Sequence, residues 1–345
     1  MNMKRLFAFI GGLAGLAAVV AGAPASAQDF YRGKTIRVIV GSGAGDGYDT
    51  IARTVMRHMT RHIPGNPNVV VVNMPGAGGL VAANHLANVA EQDGTVIGMA
   101  NRFAPMTAVL GEPQAKFKAD AFQWLGTTAS YSDNAYLFVI RSALPFKTVD
   151  DLRKVEKPLI VGESGSDVPA VLREALGIKI DIVTGYKTSS ELELAFERGE
   201  VDAHTTGYAS ILQRHPRWLE TGMIRSMIQF GRVTRLPILA DVPTARELAR
   251  TEEDRKLVEF AELPLLMARP MVAPPGVPKD RVELLRAAFM KTMADPAYIE
   301  DGTKQKHELT PASGAEVQKI IGIMTSSPKA VLDRYTKAVG GKAPG

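Results

Sequence analysis

The chain has 345 residues, a formal net charge of +5 and no cysteine. Without cysteine there is no disulfide framework, no thiolate metal site and no lipidated N-terminal cysteine. Its 41 basic and 36 acidic residues are interspersed, which argues against a nucleic-acid partner, because such a partner needs a basic stripe. The length suits two ordinary domains, each able to bury its own core.

The N-terminus has the pattern of a secretory signal peptide. A basic pair precedes an apolar run, and Ala25-Ser26-Ala27 then supplies an A-x-A cleavage site. A membrane anchor is the alternative, but the apolar run is short for a span of about 20 residues. We therefore expect residues 1–27 to be removed after Ala27, which leaves a soluble mature protein in the periplasm.

The first part of the chain alternates strands and helices. Apolar, β-branched runs predict strands at Thr35–Val40, Val69–Val72 and Thr95–Ala100. Between them the apolar spacing predicts a helix that begins at Asp49 and another over Leu80–Ala90. This βαβαβ order predicts a parallel sheet with helices on both faces.

The same alternation continues in the second half. Further strands are predicted at Tyr136–Ile140, Leu159–Val161, Ile180–Val183, Val201–Thr206 and Ile224–Phe230. Because no flexible linker separates the halves, we expect strands to cross directly between two domains near Ser130–Tyr136 and Arg250–Glu262. Domain 1 would then comprise residues 28–133 and 260–345, and domain 2 residues 134–259.

Three glycine-bearing loops each join the end of a strand to the start of a helix, at Gly41–Asp49, Asn73–Gly79 and Gly162–Asp167. Open α/β sheets bind ligands at these strand ends. The unpaired N–H groups of a helix N-terminus favour an anion there. An ordinary tight turn explains any one such loop, but three in matching positions predict a carboxylate held from both domains.

Catalytic and cofactor motifs are incomplete. Asp46 and Tyr48 stand where a G-x-G-x-x-G motif would need glycine, and Gly162–Ser166 lacks the closing glycine of a nucleophile elbow. His58 and His62 are spaced i, i+4, but no acidic residue adjoins them, so we expect a solvated helix face. We predict a protein that is not an enzyme, with no catalytic residue, no cofactor and no metal.

The run from Lys34 through Gly94 resembles the substrate-binding proteins of tripartite tricarboxylate transporters, the Bug family. The matching segments are N-M-P-G-A-G-G at Asn73–Gly79, D-G-T at Asp93–Thr95, D-V-P-T at Asp241–Thr244 and A-P-P-G-V-P at Ala273–Pro278. The resemblance covers nearly all of the mature chain.

The resemblance implies an α/β fold of the type II periplasmic-binding-protein class, with two domains, mixed sheets flanked by helices and a ligand cleft between the domains. It also implies a monomer that closes like a hinge around a small organic carboxylate and delivers it to the membrane permease subunits of a tripartite transporter. A ligand sensor for a signalling system and an exported α/β hydrolase are the alternatives.

The predicted ligand-binding residues come from the three loops and the strand after Asp202. They are Ser42, Gly43, Ala44, Gly45, Asp46, Gly47, Tyr48, Asp49, Pro75, Gly76, Ala77, Gly78, Gly79, Ser164, Gly165, Ser166, Asp167, Val168, Thr205 and Thr206. Arg102 and Arg269 follow or precede predicted strands, and either could pair a distal carboxylate bidentately.

Two acidic residues depart from the family's pattern. Asp46 and Asp167 stand in loops that are expected to hold an anion, and an unpaired carboxylate would repel one. Either these side chains point away from the ligand, or the ligand also carries an amine or hydroxyl group that one of them selects.

Overall fold

A computed structural model describes residues 30–340 except Gly165 and Lys187. The predicted signal peptide and its cleavage site lie outside the described residues. Within the described part, the chain forms two mixed β-sheets flanked by helices.

The strands are short and are numbered in chain order. They are β1 (Thr35–Val40), β2 (Asn68–Asn73), β3 (Val96–Met99), β4 (Gln123–Thr127), β5 (Tyr136–Arg141), β6 (Leu159–Gly162), β7 (Ile180–Val183), β8 (Ala203–Gly207), β9 (Ile224–Phe230), β10 (Pro270–Ala273) and β11 (Ala312–Ser313).

The α-helices are numbered in the same way. They are α1 (Gly47–Met59), α2 (Leu80–Asn88), α3 (Ala104–Val109), α4 (Val149–Lys154), α5 (Val168–Leu176), α6 (Ser189–Arg198), α7 (Tyr208–Arg214), α8 (Pro216–Glu220), α9 (Ala245–Leu248), α10 (Glu252–Glu262), α11 (Lys279–Met293), α12 (Pro296–Lys304), α13 (Gly314–Thr325) and α14 (Lys329–Ala338).

The first sheet has the order β11-β4-β10-β3-β1-β2, and the second has the order β7-β6-β8-β5-β9. Strand β1 pairs in parallel with β2 and β3, as the βαβαβ order predicts. Strand β10 returns late in the chain and pairs antiparallel with β3 and β4. In the second sheet, β5 is antiparallel to both of its neighbours.

Both faces of the first sheet are covered by helices. Ile36 and Val38 belong to one core cluster with Val55 of α1 and Phe289 of α11. Ile39, which points the other way because side chains alternate along a strand, packs in a separate cluster. The amphipathic pattern of α1 therefore buries its apolar face against the sheet and leaves the arginines outside.

The C-terminal helix α14 does not pack on the first sheet. It contacts α10 and α5, and α5 flanks the second sheet. The Tyr335 hydroxyl lies 2.5 Å from Asp167 Oδ2, and Arg334 forms an ion pair with Asp254. The predicted limits of domain 1 (28–133 plus 260–345) and domain 2 (134–259) stay a prediction. Helix α14 belongs to domain 1 by these limits, but it contacts helices of domain 2.

Two expectations about local structure are wrong. Arg250–Glu262 was expected to cross as a strand, but residues 252–262 form helix α10, whose N-cap Thr251 forms a capping box with Asp254. His58 was expected on a solvated face, but it is buried, with its Nε2 2.8 Å from Asp301 Oδ2. His62 Nε2 likewise lies 2.8 Å from Asp295 Oδ2, because α12 packs over this side of α1.

No helix within residues 30–340 combines the length and the apolar character that a bilayer crossing requires.

Candidate functional site

A cleft lies between the strand ends of the two sheets. Its outer part is a cavity of about 510 Å³, and a chamber of about 80 Å³ lies next to it. Residues of the first sheet's loops and of the second sheet's loops line both spaces. The residues shared by the two linings are Arg102, Ser164, Ser189, Ser210, Arg214 and Arg269. The cavity and the chamber are therefore parts of one site.

The first glycine-rich loop is held in shape by two aspartates. Asp46 caps α1, since its Oδ1 accepts the Tyr48 N–H at 2.8 Å. Asp49 is buried and accepts the Gly45 N–H at 2.8 Å and the Asn73 amide at 2.9 Å. Burial acts to raise the pKa of Asp49, but these hydrogen bonds and one from Arg53 together hold that pKa below its ordinary value. Asp49 therefore anchors the loop.

Part of this loop faces the cavity. Ser42, Gly45, Asp46, Gly47 and Tyr48 line it. By contrast, Gly43 and Ala44 are exposed and do not line either space.

Tyr48 joins the loop to the rest of the site. Its hydroxyl donates to the Ala268 carbonyl and accepts the Arg102 N–H, both at 3.3 Å. The Arg269 guanidinium lies over its ring, 4.7 Å from the ring centroid. Tyr48 thus contacts both arginines of the site through one side chain.

The second glycine-rich loop lies behind the first. Pro75, Gly76, Ala77, Gly78 and Gly79 line neither the cavity nor the chamber. Gly79 is buried with φ +91°, and a Cβ there would come within 2.8 Å of the Asn101 side chain. This loop therefore supports residue 101, which does line the cavity, and its role as a ligand contact stays a prediction.

The third loop contributes two serines. Ser164 lines both spaces and Ser166 lines the chamber, whereas Gly165 lies outside the described residues. Val168 is buried, and its N–H donates to Ser166 Oγ at 3.2 Å.

Asp167 faces away from the site. Its carboxylate accepts a hydrogen bond from Tyr335 of α14, and it lines neither space. Burial raises the pKa of Asp167 to about 6, and the hydrogen bond from Tyr335 offsets part of that rise. A selective contact between Asp167 and the ligand is therefore not part of this geometry.

Thr205 and Thr206, at the end of β8, line the chamber. The Thr205 hydroxyl donates to the Tyr136 hydroxyl at 3.2 Å.

Arg102 and Arg269 are the two predicted arginines of the site, and both line the cavity and the chamber. The Arg102 guanidinium lies 5.1 Å from the Phe103 ring centroid and 5.7 Å from that of Tyr136. The Nε atoms of both arginines are buried without a hydrogen-bond partner, and neither arginine forms an ion pair within residues 30–340. Arg214, by contrast, lies 2.8 Å from Glu193.

Sequence reasoning missed several lining residues. They are Tyr131, Tyr136, Glu163, Ser189, Glu193, His204, Ser210, Arg214, Lys306, His307 and Glu308. They come from strand ends, from helices α6 and α7 and from the turn after α12, and only the tertiary fold brings these elements together. No local motif marks them.

Within the described residues, no group of three or more histidine or acidic side chains is arranged to hold a metal ion.

The chain is similar to a known protein family and to a known protein sequence. The family described as "Tripartite tricarboxylate transporter family receptor" matches residues 51–335. A Cupriavidus necator protein described as "UPF0065 protein in gbd 5'region" is 26% identical over 97% of this chain and 98% of its own length.

Two solved structures share the fold. A TctC solute binding protein from Polaromonas matches with a TM-score of 0.66 at 18% identity, over 89% of this chain and 99% of the other. MatC from Rhodopseudomonas palustris, solved with bound malate, matches with a TM-score of 0.59 at 20% identity, over the same shares. Both structures confirm the periplasmic-binding-protein fold, and the family match over most of the chain shows that this protein belongs to the receptor family of tripartite tricarboxylate transporters.

Proposed function

We propose that this receptor works in the periplasm, captures a small organic carboxylate by hinge closure, and delivers it to the permease subunits of a tripartite transporter. The observation that carries the proposal is the pair of half-buried arginines, Arg102 and Arg269, which line the cleft with buried Nε atoms and form no ion pair within the described residues. The proposed receptor is a monomer without catalytic activity.

An anionic ligand is what this pair lacks. Removing a charged group from water is costly unless it is paired and hydrogen-bonded. A carboxylate can satisfy a guanidinium with two parallel hydrogen bonds. The aromatic rings of Tyr48 and Tyr136 hold the two guanidinium groups in place before the ligand arrives, which lowers the ordering cost of binding.

The loops supply the remaining contacts in this proposal. The backbone of Gly45–Tyr48 lies at the N-terminus of α1 and lines the cavity, where the helix N–H groups favour negative charge. Ser164 lines the same cavity from the loop after β6, and Ser166 lines the chamber next to it. The malate bound to the related MatC is a small carboxylate, which supports the same chemical class here.

The two sheets are, in this proposal, the cores of the two domains that close on the ligand. Residues 28–133 with most of 260–345 hold the first sheet and residues 134–259 the second. Export with cleavage after Ala27 is tested by N-terminal sequencing of the protein recovered from the periplasm of a bacterial host.

The binding experiment uses residues 28–345 in a thermal-shift screen against a library of mono-, di- and tricarboxylates, followed by titration calorimetry. Arg102→Gln and Arg269→Gln should each weaken binding of the best carboxylate about 10- to 100-fold, since a charge-assisted hydrogen bond contributes roughly 1.5–3 kcal/mol. Arg255→Gln is the matched control, because Arg255 is exposed on α10 and forms an ion pair with Glu259 there.

Two outcomes would contradict the proposal. The first is that no carboxylate in the library raises the melting temperature. The second is that both cleft variants bind the best carboxylate as tightly as the Arg255→Gln control does.

A further inference from the structure

Eight residues with hydroxyl groups line the small chamber beside the cavity. They are Tyr131, Tyr136, Ser164, Ser166, Ser189, Thr205, Thr206 and Ser210. Its volume of about 80 Å³ has room for a few water molecules or for a short polar segment of a ligand.

His204 is a buried polar residue of this chamber whose bonding is incomplete. It lines the chamber and is 1% exposed. Its Nε2 atom is buried and has no hydrogen-bond partner. The rings of Phe196 and Trp218 pack around the imidazole, with centroids 4.6 and 5.7 Å away, so the ring is fixed in orientation.

The imidazole is uncharged at neutral pH. Burial lowers the pKa of His204 to about 4, against opposing contributions from Glu193 and from a hydrogen bond with the Thr205 backbone. A neutral imidazole presents either a lone pair or an N–H at Nε2, according to its tautomer. A buried nitrogen left without a partner costs free energy, so a bound group that satisfies it contributes to affinity and to selectivity.

The charges of the chamber decide which group fits. A second carboxylate beside His204 would meet Glu163 and also Glu193, which is paired with Arg214. An ammonium group would meet Arg102 and Arg269, and all five residues line the same chamber. A hydroxyl group carries no charge and can donate or accept at Nε2. It also matches the serine and threonine hydroxyls around it.

We propose that the chamber is a hydroxyl-recognition subsite in which His204 is the specificity-determining contact, so that the ligand is a hydroxylated carboxylate. This inference rests on the proposed function, with the carboxylate at Arg102 and Arg269. It assigns to His204 the selective role that the sequence suggested for Asp46 or Asp167. Asp46 caps a helix at the outer cavity and Asp167 is bonded to Tyr335.

The test compares probes that differ only in their hydroxyl groups: malate with succinate, 3-hydroxybutyrate with butyrate, and gluconate with hexanoate. Titration calorimetry on residues 28–345 should show the hydroxylated member of each binding pair at least about 10-fold tighter, because a site that hydrogen-bonds a hydroxyl rejects the analogue without it. His204→Phe should reduce this preference to below about 3-fold and leave the affinity for the deoxy probe within about 3-fold. His204→Gln, which keeps a polar group there, should retain part of the preference.

A second readout uses the unaltered protein, so that it does not depend on the folding of a variant. In a sample labelled with ¹⁵N-histidine, the hydroxylated probe should shift the His204 Nε2 resonance and the deoxy probe should leave it in place. His85, which lies outside both linings, is the internal control.

The outcomes separate the two proposals. If carboxylates bind but the deoxy probes bind as tightly as their partners, or if His204→Phe keeps the full preference, the hydroxyl subsite is overturned and the receptor proposal stands. If no probe of either kind binds, in this panel and in the wider carboxylate library, both proposals are overturned together.

Discussion

Asp167 and Tyr335 form a hydrogen bond between the third loop of the site and the C-terminal helix. The carboxyl group is mostly enclosed, and its pKa is raised to about 6 by burial. Between the ordinary aspartate value of about 3.9 and this value, the folded protein binds more protons than the unfolded chain. The free energy of unfolding should therefore fall as the pH rises through that window.

Asp167→Asn removes this titration. The free energy of unfolding of the variant minus that of the unaltered protein should rise by on the order of 2 kcal/mol between pH 4 and pH 7.5. Urea denaturation at the two pH values measures the difference. Asp181→Asn, on the exposed part of edge strand β7, is the control and should change by less than about 0.5 kcal/mol. A difference between Asp167→Asn and the unaltered protein that stays constant with pH would contradict this account.

At the residue scale, sequence reasoning identified part of the site. Ser42, Gly45 and Tyr48 could be predicted to lie near a ligand, because a glycine-rich loop before a helix is a local pattern. Arg102 and Arg269 were candidates from their positions beside strands. His204 and Glu193 could not be found, since their place in the chamber depends on how β8 and α6 pack in the second sheet.

At the element scale, strands with continuous apolar runs were the most predictable. Ile180–Val183 and Ile224–Phe230 have the predicted limits. Strand β4 (Gln123–Thr127) was not predicted, because Gly126 interrupts its apolar run; this glycine has φ +151°, and a Cβ there would collide with the Phe289 ring. Helix α10 was mistaken for a crossing strand, although Thr251 and Asp254 have the spacing of a capping box.

Thr251 should therefore contribute measurably to stability. Thr251→Ala removes the side chain that accepts the Asp254 N–H at 3.0 Å, which should lower the free energy of unfolding by about 1 kcal/mol. Thr251→Ser keeps the cap and should cost much less. Chemical denaturation measures both, with Thr303→Ala on the exposed side of α12 as the control. Equal losses for the alanine and serine variants would show that the cap is not the source of the effect.

At the scale of the whole molecule, two hydrogen bonds join the elements on either side of the cleft. Ser210 of α7 donates to Glu308 at 2.8 Å, and Gln213 donates to the His307 carbonyl at 3.2 Å. Residues 306–308 form the turn after α12, where Lys306 has φ +59°. In the proposed hinge motion these bonds favour the closed arrangement of the two sheets, and Ser210, His307 and Glu308 also line the cavity.

Removing this pair should open the molecule. Ser210→Ala combined with Gln213→Ala deletes both donors, and at about 1 kcal/mol for a hydrogen bond each loss raises the open-to-closed ratio about five-fold. Small-angle X-ray scattering should show a larger radius of gyration for the ligand-free double variant. Ser326→Ala, at the exposed end of α13, should leave the radius unchanged, and an identical radius for all three proteins would refute the prediction.

Helix α14 packs against the helices that flank the second sheet, although residues shortly before it belong to the first sheet. The two ends of the described chain therefore pack beside different sheets. Tyr31 is buried on the first sheet's side, where its hydroxyl donates to the Gly94 carbonyl, and α14 is attached on the other. Because the sequence has no cysteine, cysteines introduced at the exposed positions Arg32 and Lys337 would accept a pair of fluorescent dyes at those positions alone. Energy transfer between the dyes would then follow the proposed opening and closing in real time, with every residue of the cleft left unaltered.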